Sequence, residues 1–137
     1  MTAPVSLPAG TLLALARRGL VEACSTDRPG ERYATAHLAA LRAAAAVLAC
    51  RARPAVSARR SRPTSAWVLL AGVAPELAEW AGFFAAGARK RAAAEAGLPS
   101  AVTPREADDL VRDAETFLSV VETTLGFDGH QLLLASG

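Results

Sequence analysis

Residues 103 to 126 read "TPREADDLVRDAETFLSVVETTLG", and the punctuation of that stretch decides the fold class. Thr103 as N-cap, Pro104 at the first helical position and Glu106 three residues after the cap form a capping box. Leu110, Ala114, Phe117, Leu118, Val121 and Leu125 then recur at steps of three and four, the period of an amphipathic helix, and Gly126 supplies a left-handed stop. No run here alternates with period two. A long helix with one apolar stripe needs other helices to cover it.

The same period returns upstream. A helix over about 75–96 places Leu77, Trp80, Ala81, Phe84 and Ala88 on one face, opened by Pro75 and closed by Gly97 at the C′ position. "TSAWVLLAGVA" (64–74) reads as a short apolar helix, capped by Ser65 or Thr64, with Trp67, Leu70 and Val73 at helical spacing. A second helix opens at Pro29 after "STDRPG" and runs to about Arg53 on the stripe Tyr33, His37, Ala40, Leu41, Ala44, Val47, Leu48. The first spans about 7–24, with Leu12, Leu13, Leu15, Ala16, Leu20 and Ala23 on its broad face. These elements predict an all-α fold: an antiparallel bundle of four long helices plus one short helix, in a single domain over 1–137. Its core lies within about 7–125, with a basic loop at 51–63 and a tail at 126–137 whose run Leu132 to Leu134 packs on the bundle or on a partner.

Composition sets the style of packing. Alanine makes up about a quarter of the 137 residues and aromatics only 5%, so the core must come from small side chains and closely approaching helices. The net charge of +2 conceals a division: residues 1–91 carry 13 basic and 5 acidic groups, residues 92–137 carry 2 and 8. The basic part suits a polyanion or the acidic part of a second subunit. Fourteen of the fifteen cations are arginine, which with the alanine excess resembles the product of a GC-rich genome. Cys24 and Cys50 fall inside predicted helices and are expected to be reduced core residues, not a disulfide. The N-terminus has no basic start, and Arg17 and Arg18 break the apolar stretch after it. Charge-free runs such as 63–75 fall short of the roughly 20 residues of a membrane span, so the expectation is a cytoplasmic protein without a membrane partner.

Three groups of residues carry candidate chemistry. "ERYATAH" (31–37) sets Arg32 and His37 five residues apart. A metal-independent ribonuclease needs a base for the 2′-hydroxyl and a cation for the phosphate, and this pair has both. Five residues of α-helix turn about 500°, however, which leaves the two roughly 140° apart around the axis. They converge only if the helix begins after Arg32 or a second subunit supplies one of them. The bland reading is a hydrogen-bonded imidazole one turn below Tyr33 and an arginine on the opposite side. "RARPAVSARRSRP" (51–63) contains Arg51, Arg53, Arg59, Arg60 and Arg62 without an acid, a set suited to phosphates but with no aromatic interleaved for base stacking. The plainer reading is a solvated loop, or an arm pairing with the last helix. In "READDLVRD" the acids favour a helix N-terminus; Asp109 and Asp113 stand one turn apart and could share a cation, or pair with Arg105 and Arg112. A diphosphate-binding DDxxD reading fails because Arg112 takes the last aspartate's place. Arg89, Lys90 and Arg91 fall in the last two turns of the 75–96 helix, where the dipole favours cations. His130 is isolated in the tail. No metal site and no cofactor motif is expected, since the chain has no CxxC pair, Gly-rich phosphate loop, HExxH or nucleophile elbow.

The order "ERYATAHLAALRAAAAVLA", basic loop, "SAWVLLAGVAPELAEWAGFFAAGARKRAAAEAG", "READDLVRDAETFL" resembles an actinobacterial branch of the HEPN superfamily (higher eukaryotes and prokaryotes nucleotide-binding), over roughly residues 10–125. That resemblance implies a bundle of four long helices, often dimeric, among relatives that include metal-independent ribonucleases, toxins and non-catalytic members. The nucleases carry an arginine followed after four to six residues by a histidine, in a late helix that meets its copy across a dimer. Arg32 and His37 match the spacing but lie at the head of the second helix, and Tyr33 replaces the usual small polar residue. The expected function is therefore a non-catalytic, dimeric HEPN-type binding or interaction domain, contacting RNA or an acidic protein or other anionic partner through the basic loop. A toxin-like endoribonuclease using Arg32 and His37, and a structural adaptor for another protein, are the alternatives.

Overall fold

The computed structural model describes residues 8–51 and 65–127, and among them all regular structure is helical. The helices are α1 (Ala9–Cys24), α2 (Pro29–Arg51), α3 (Ala66–Val73), α4 (Ala78–Ala86), α5 (Ala88–Glu95) and α6 (Pro104–Leu125), with a 3₁₀ turn at Pro75–Leu77 before α4. The fold is all-α and HEPN-like, as the sequence predicts. Most of the expected ends are in place. Thr103 Oγ1 accepts from Glu106 N–H at 3.1 Å while Thr103 N–H donates to Glu106 Oε1 at 2.9 Å, so the capping box is complete. Ser65, not Thr64, caps α3 by accepting from Trp67 N–H. Gly97 and Gly126 adopt φ of 82° and 80°, and in each case the next residue donates back to the carbonyl five residues upstream, satisfying the orphaned acceptors of the last turn.

One expected helix is broken. The run 75–96 is divided into the 3₁₀ turn, α4 and α5, with Gly87 at the break between the last two. Arg89, Lys90 and Arg91 consequently open α5 instead of closing a long helix, where the dipole disfavours them. Their charge is met by neighbours: Lys90 pairs with Glu106 of α6 and Arg91 faces Glu95 one turn on. A second correction concerns the thiols. Cys24 and Cys50 are free but exposed, because each sits in the final turn of its helix on the face turned away from the core.

Helix α2 is the element the others surround, packing against α1, α3, α5 and α6. Nine of its residues are buried, and six of the nine are alanine. Small side chains make that possible: a Cβ on Gly19 of α1 would lie 3.3 Å from Ala39 Cβ, and one on Gly30 would lie 3.4 Å from Ala94 Cβ. Residue pairs fix the directions. Gly19 meets Ala39 and Arg32 meets Ala23, so α1 and α2 are antiparallel; Gly10 meets Phe127 and Arg17 meets Glu122, so α1 and α6 are too. By length and mean hydropathy α2 could also cross a membrane, but half of that window is buried inside the bundle, as a core helix would be. Across α1 and α6, Arg17 Nη2 reaches both oxygens of the buried Glu122 carboxylate at 2.7 Å. The exposed edge of Arg17 keeps that pair solvated on one side.

Candidate functional site

Arg32 and His37 both lie within α2, which begins at Pro29, and they serve different neighbours. The Arg32 guanidinium turns to the end of α1, donating to the carbonyls of Ala23 and Thr26 at 3.1 Å and of Cys24 at 3.3 Å, and it pairs with Asp108 of α6. A cation at a helix C-terminus satisfies carbonyls that have no partner inside the helix. His37 turns the other way and is 1% exposed. Its Nε2 lies 2.8 Å from Phe84 O, which can only accept, so Nε2 carries the proton and donates. The rings of Trp67, Phe84 and Tyr33 stand 5.9, 6.0 and 6.3 Å from the imidazole, the first two edge-on. Burial holds the His37 pKa below its ordinary value, with the Phe84 carbonyl opposing the shift and Arg91 adding to it. Nδ1 is buried without a hydrogen-bond partner. Burial likewise pushes the Tyr33 hydroxyl up.

This cage explains the break at Gly87. A Cβ there would lie 2.6 Å from Tyr33 Oη and 3.6 Å from His37 Cδ2, so the backbone can approach α2 only as glycine. The Phe84 carbonyl accepts from His37 as well as from Gly87 N–H at 3.1 Å, and the regular ladder is interrupted at the same place. Periodicity could not expose this, because it registers side-chain faces and not the distance between two backbones.

Of the basic loop only Arg51 lies within the described residues; its Nη1 sits 2.7 Å from Glu76 Oε2, tying the end of α2 to the 3₁₀ turn. Arg53, Arg59, Arg60 and Arg62 lie outside the described residues, as do His130 and the run 132–134. In the acidic start of α6, Asp109 pairs with Arg112 and faces Arg105 at 4.0 Å. Asp113 has no ion pair among the described residues; burial, and then Asp109 nearby, raise its pKa.

A feature that periodicity overlooked is a groove between α4 and α6. Glu79, Trp80, Phe83 and Asp113 line a hollow of about 300 Å³. Phe83 and Asp113 also line an adjoining one of about 270 Å³ that extends to Tyr33, Lys90 and Glu106. The sequence signal was Phe83 itself, an aromatic residue off the buried stripe of its helix, 46% exposed in the structure.

Among the described residues, a helical bundle encloses His37 and carries an aromatic and acidic groove on its surface. The SAV_6107-like HEPN family matches residues 23–122, and the chain belongs to that family. No curated protein and no solved structure matches it.

Proposed function

We propose that the chain is a non-catalytic HEPN-type interaction domain, a cytoplasmic homodimer whose arginine-rich segment 51–63 engages RNA or another anionic partner. The observation that carries the non-catalytic part is the position of His37. An imidazole 1% exposed, with Nε2–H committed to a backbone carbonyl, offers no lone pair to a 2′-hydroxyl in solvent. Arg32, the other half of the candidate pair, is occupied by three carbonyls and a carboxylate. The anionic partner is supported by composition, since the segment has five arginines and no acid.

Purified protein incubated with single-stranded RNA in EDTA should leave it intact. Cleavage that disappears in His37→Ala would restore the ribonuclease reading. Light scattering at tens of micromolar should give a dimer, and RNA affinity at low salt should fall when Arg59, Arg60 and Arg62 become alanine. A monomer, or an affinity indifferent to those substitutions, removes the corresponding part of the proposal.

A further inference from the structure

The groove between α4 and α6 has a composition that selects its occupant. Its walls are aromatic: Trp80 is partly exposed, and the Phe83 ring stands edge-on to it with centroids 6.5 Å apart. Its rim is acidic. Glu106 is neutralised by Lys90, and Asp109 by Arg105 and Arg112, but Glu79 and Asp113 have no ion-pair partner among the described residues. An apolar helix would have to bury those two carboxylates unpaired, which desolvation strongly opposes. Nucleic acid would meet like charge. A divalent metal lacks a ligand set, since no group of three or more His, Cys, Asp or Glu among the described residues is arranged to hold one. The group that fits an aromatic face and a free carboxylate together is a planar cation. A guanidinium stacks on the ring and presents a fork of donors to the carboxylate, whereas an ammonium is a more strongly hydrated point charge.

We infer that this groove docks an arginine side chain on an extended segment of a partner protein, its guanidinium stacked on Phe83 and paired with Asp113 and Glu79. Each hollow, at about 300 and 270 Å³, has room for a side chain and not for a folded element. The inference goes beyond the interaction-domain reading and stands without the RNA contact, because it uses acidic groups on α4 and α6 and not the arginines of 51–63.

The test is calorimetric titration of the full chain with a capped tri-arginine peptide, with capped tri-lysine as control. Tri-arginine should bind saturably and about fivefold more tightly than tri-lysine, the preference a stacked guanidinium provides. Phe83→Ala should remove that preference, and Asp113→Asn should weaken binding about tenfold, the loss of one charge-assisted hydrogen bond. Both variants should keep the parent's circular dichroism and remain fully folded at the titration temperature, and added salt should weaken the parent's binding. Absence of saturable binding, equal affinity for the two peptides, or unchanged binding in both variants would sink the idea. Binding that emerges only after Arg53, Arg59, Arg60 and Arg62 are replaced by alanine would also overturn it, by assigning the groove to the chain's own arginines. RNA cleavage and RNA binding are read separately, so either proposal can fail alone.

Discussion

Phe83 and Phe84 are neighbours in sequence on α4, their rings edge-on with centroids 5.0 Å apart, yet one turns toward the solvent side of the helix and the other toward the core side. Phe84 is fully buried in a cluster with Trp67 and Phe117, each ring centroid 5.1 Å from its own, and its carbonyl holds His37. Phe83 is 46% exposed beside Asp113 and Glu79. Each side therefore combines aromatic rings with a titratable group, but on the inner side the group is enclosed and its proton assigned, while on the outer side it is open and unpaired. The difference teaches that residue type does not separate scaffold from site. What separates them is whether the polar group already has its partner inside the protein.

The comparison can be broken most forcefully at Phe84. Phe84→Ala should cost about 3–5 kcal/mol in urea unfolding, because the ring has neighbours on every side and the cavity cannot collapse. A loss below about 1 kcal/mol would mean the inner side is loosely packed. Next in size is Gly87→Ala, expected to cost about 1–3 kcal/mol although alanine is the better helix former, since the added methyl meets Tyr33 Oη. Tyr33→Phe in that background should recover most of the loss, a non-additivity that identifies the clash as the cause.

The two titratable groups should respond to pH with opposite signs. The pKa of His37 is lowered by folding, so at pH above about 6.5 both states are neutral and nothing is lost. Below that value the unfolded chain takes up the proton first, and stability falls until the folded pKa is passed. Asp113 has its pKa raised by folding, so it costs stability once the pH exceeds its unfolded pKa, and acid relieves that cost. Thermal melts from about pH 7.5 down to about pH 5, a range that spans the ordinary histidine pKa, should show a decline that His37→Gln diminishes. Asp113→Asn should leave stability at neutral pH unchanged or slightly raised. Phe83→Ala should also have a small effect, no more than about 1 kcal/mol in urea unfolding, because about half of that ring is already in water. A larger loss would move Phe83 from groove to core.

Much of the frame was legible before any coordinates. The Thr103 and Glu106 box, the Gly97 and Gly126 stops, the Pro29 start and the stripe of α6 are local features, settled within a turn or two of chain, and each appears where the pattern puts it. The HEPN resemblance held for the same reason, since it rests on the order of those elements. Less legible were the exposure of Cys24 and Cys50 at helix ends, the division of 75–96 and the groove. The partners of Arg32 and Glu122 were equally hidden, because Asp108 and Arg17 lie 76 and 105 residues away.

By itself the sequence determined that the described chain is a set of amphipathic, alanine-rich helices, because capping and periodicity act over a few residues and need no neighbour. Only the tertiary structure decided which polar groups are spent and which are free. Whether His37 meets a carbonyl or a substrate, and whether Asp113 meets an arginine or open water, depends on what a distant helix places opposite it, and no local pattern carries that distance.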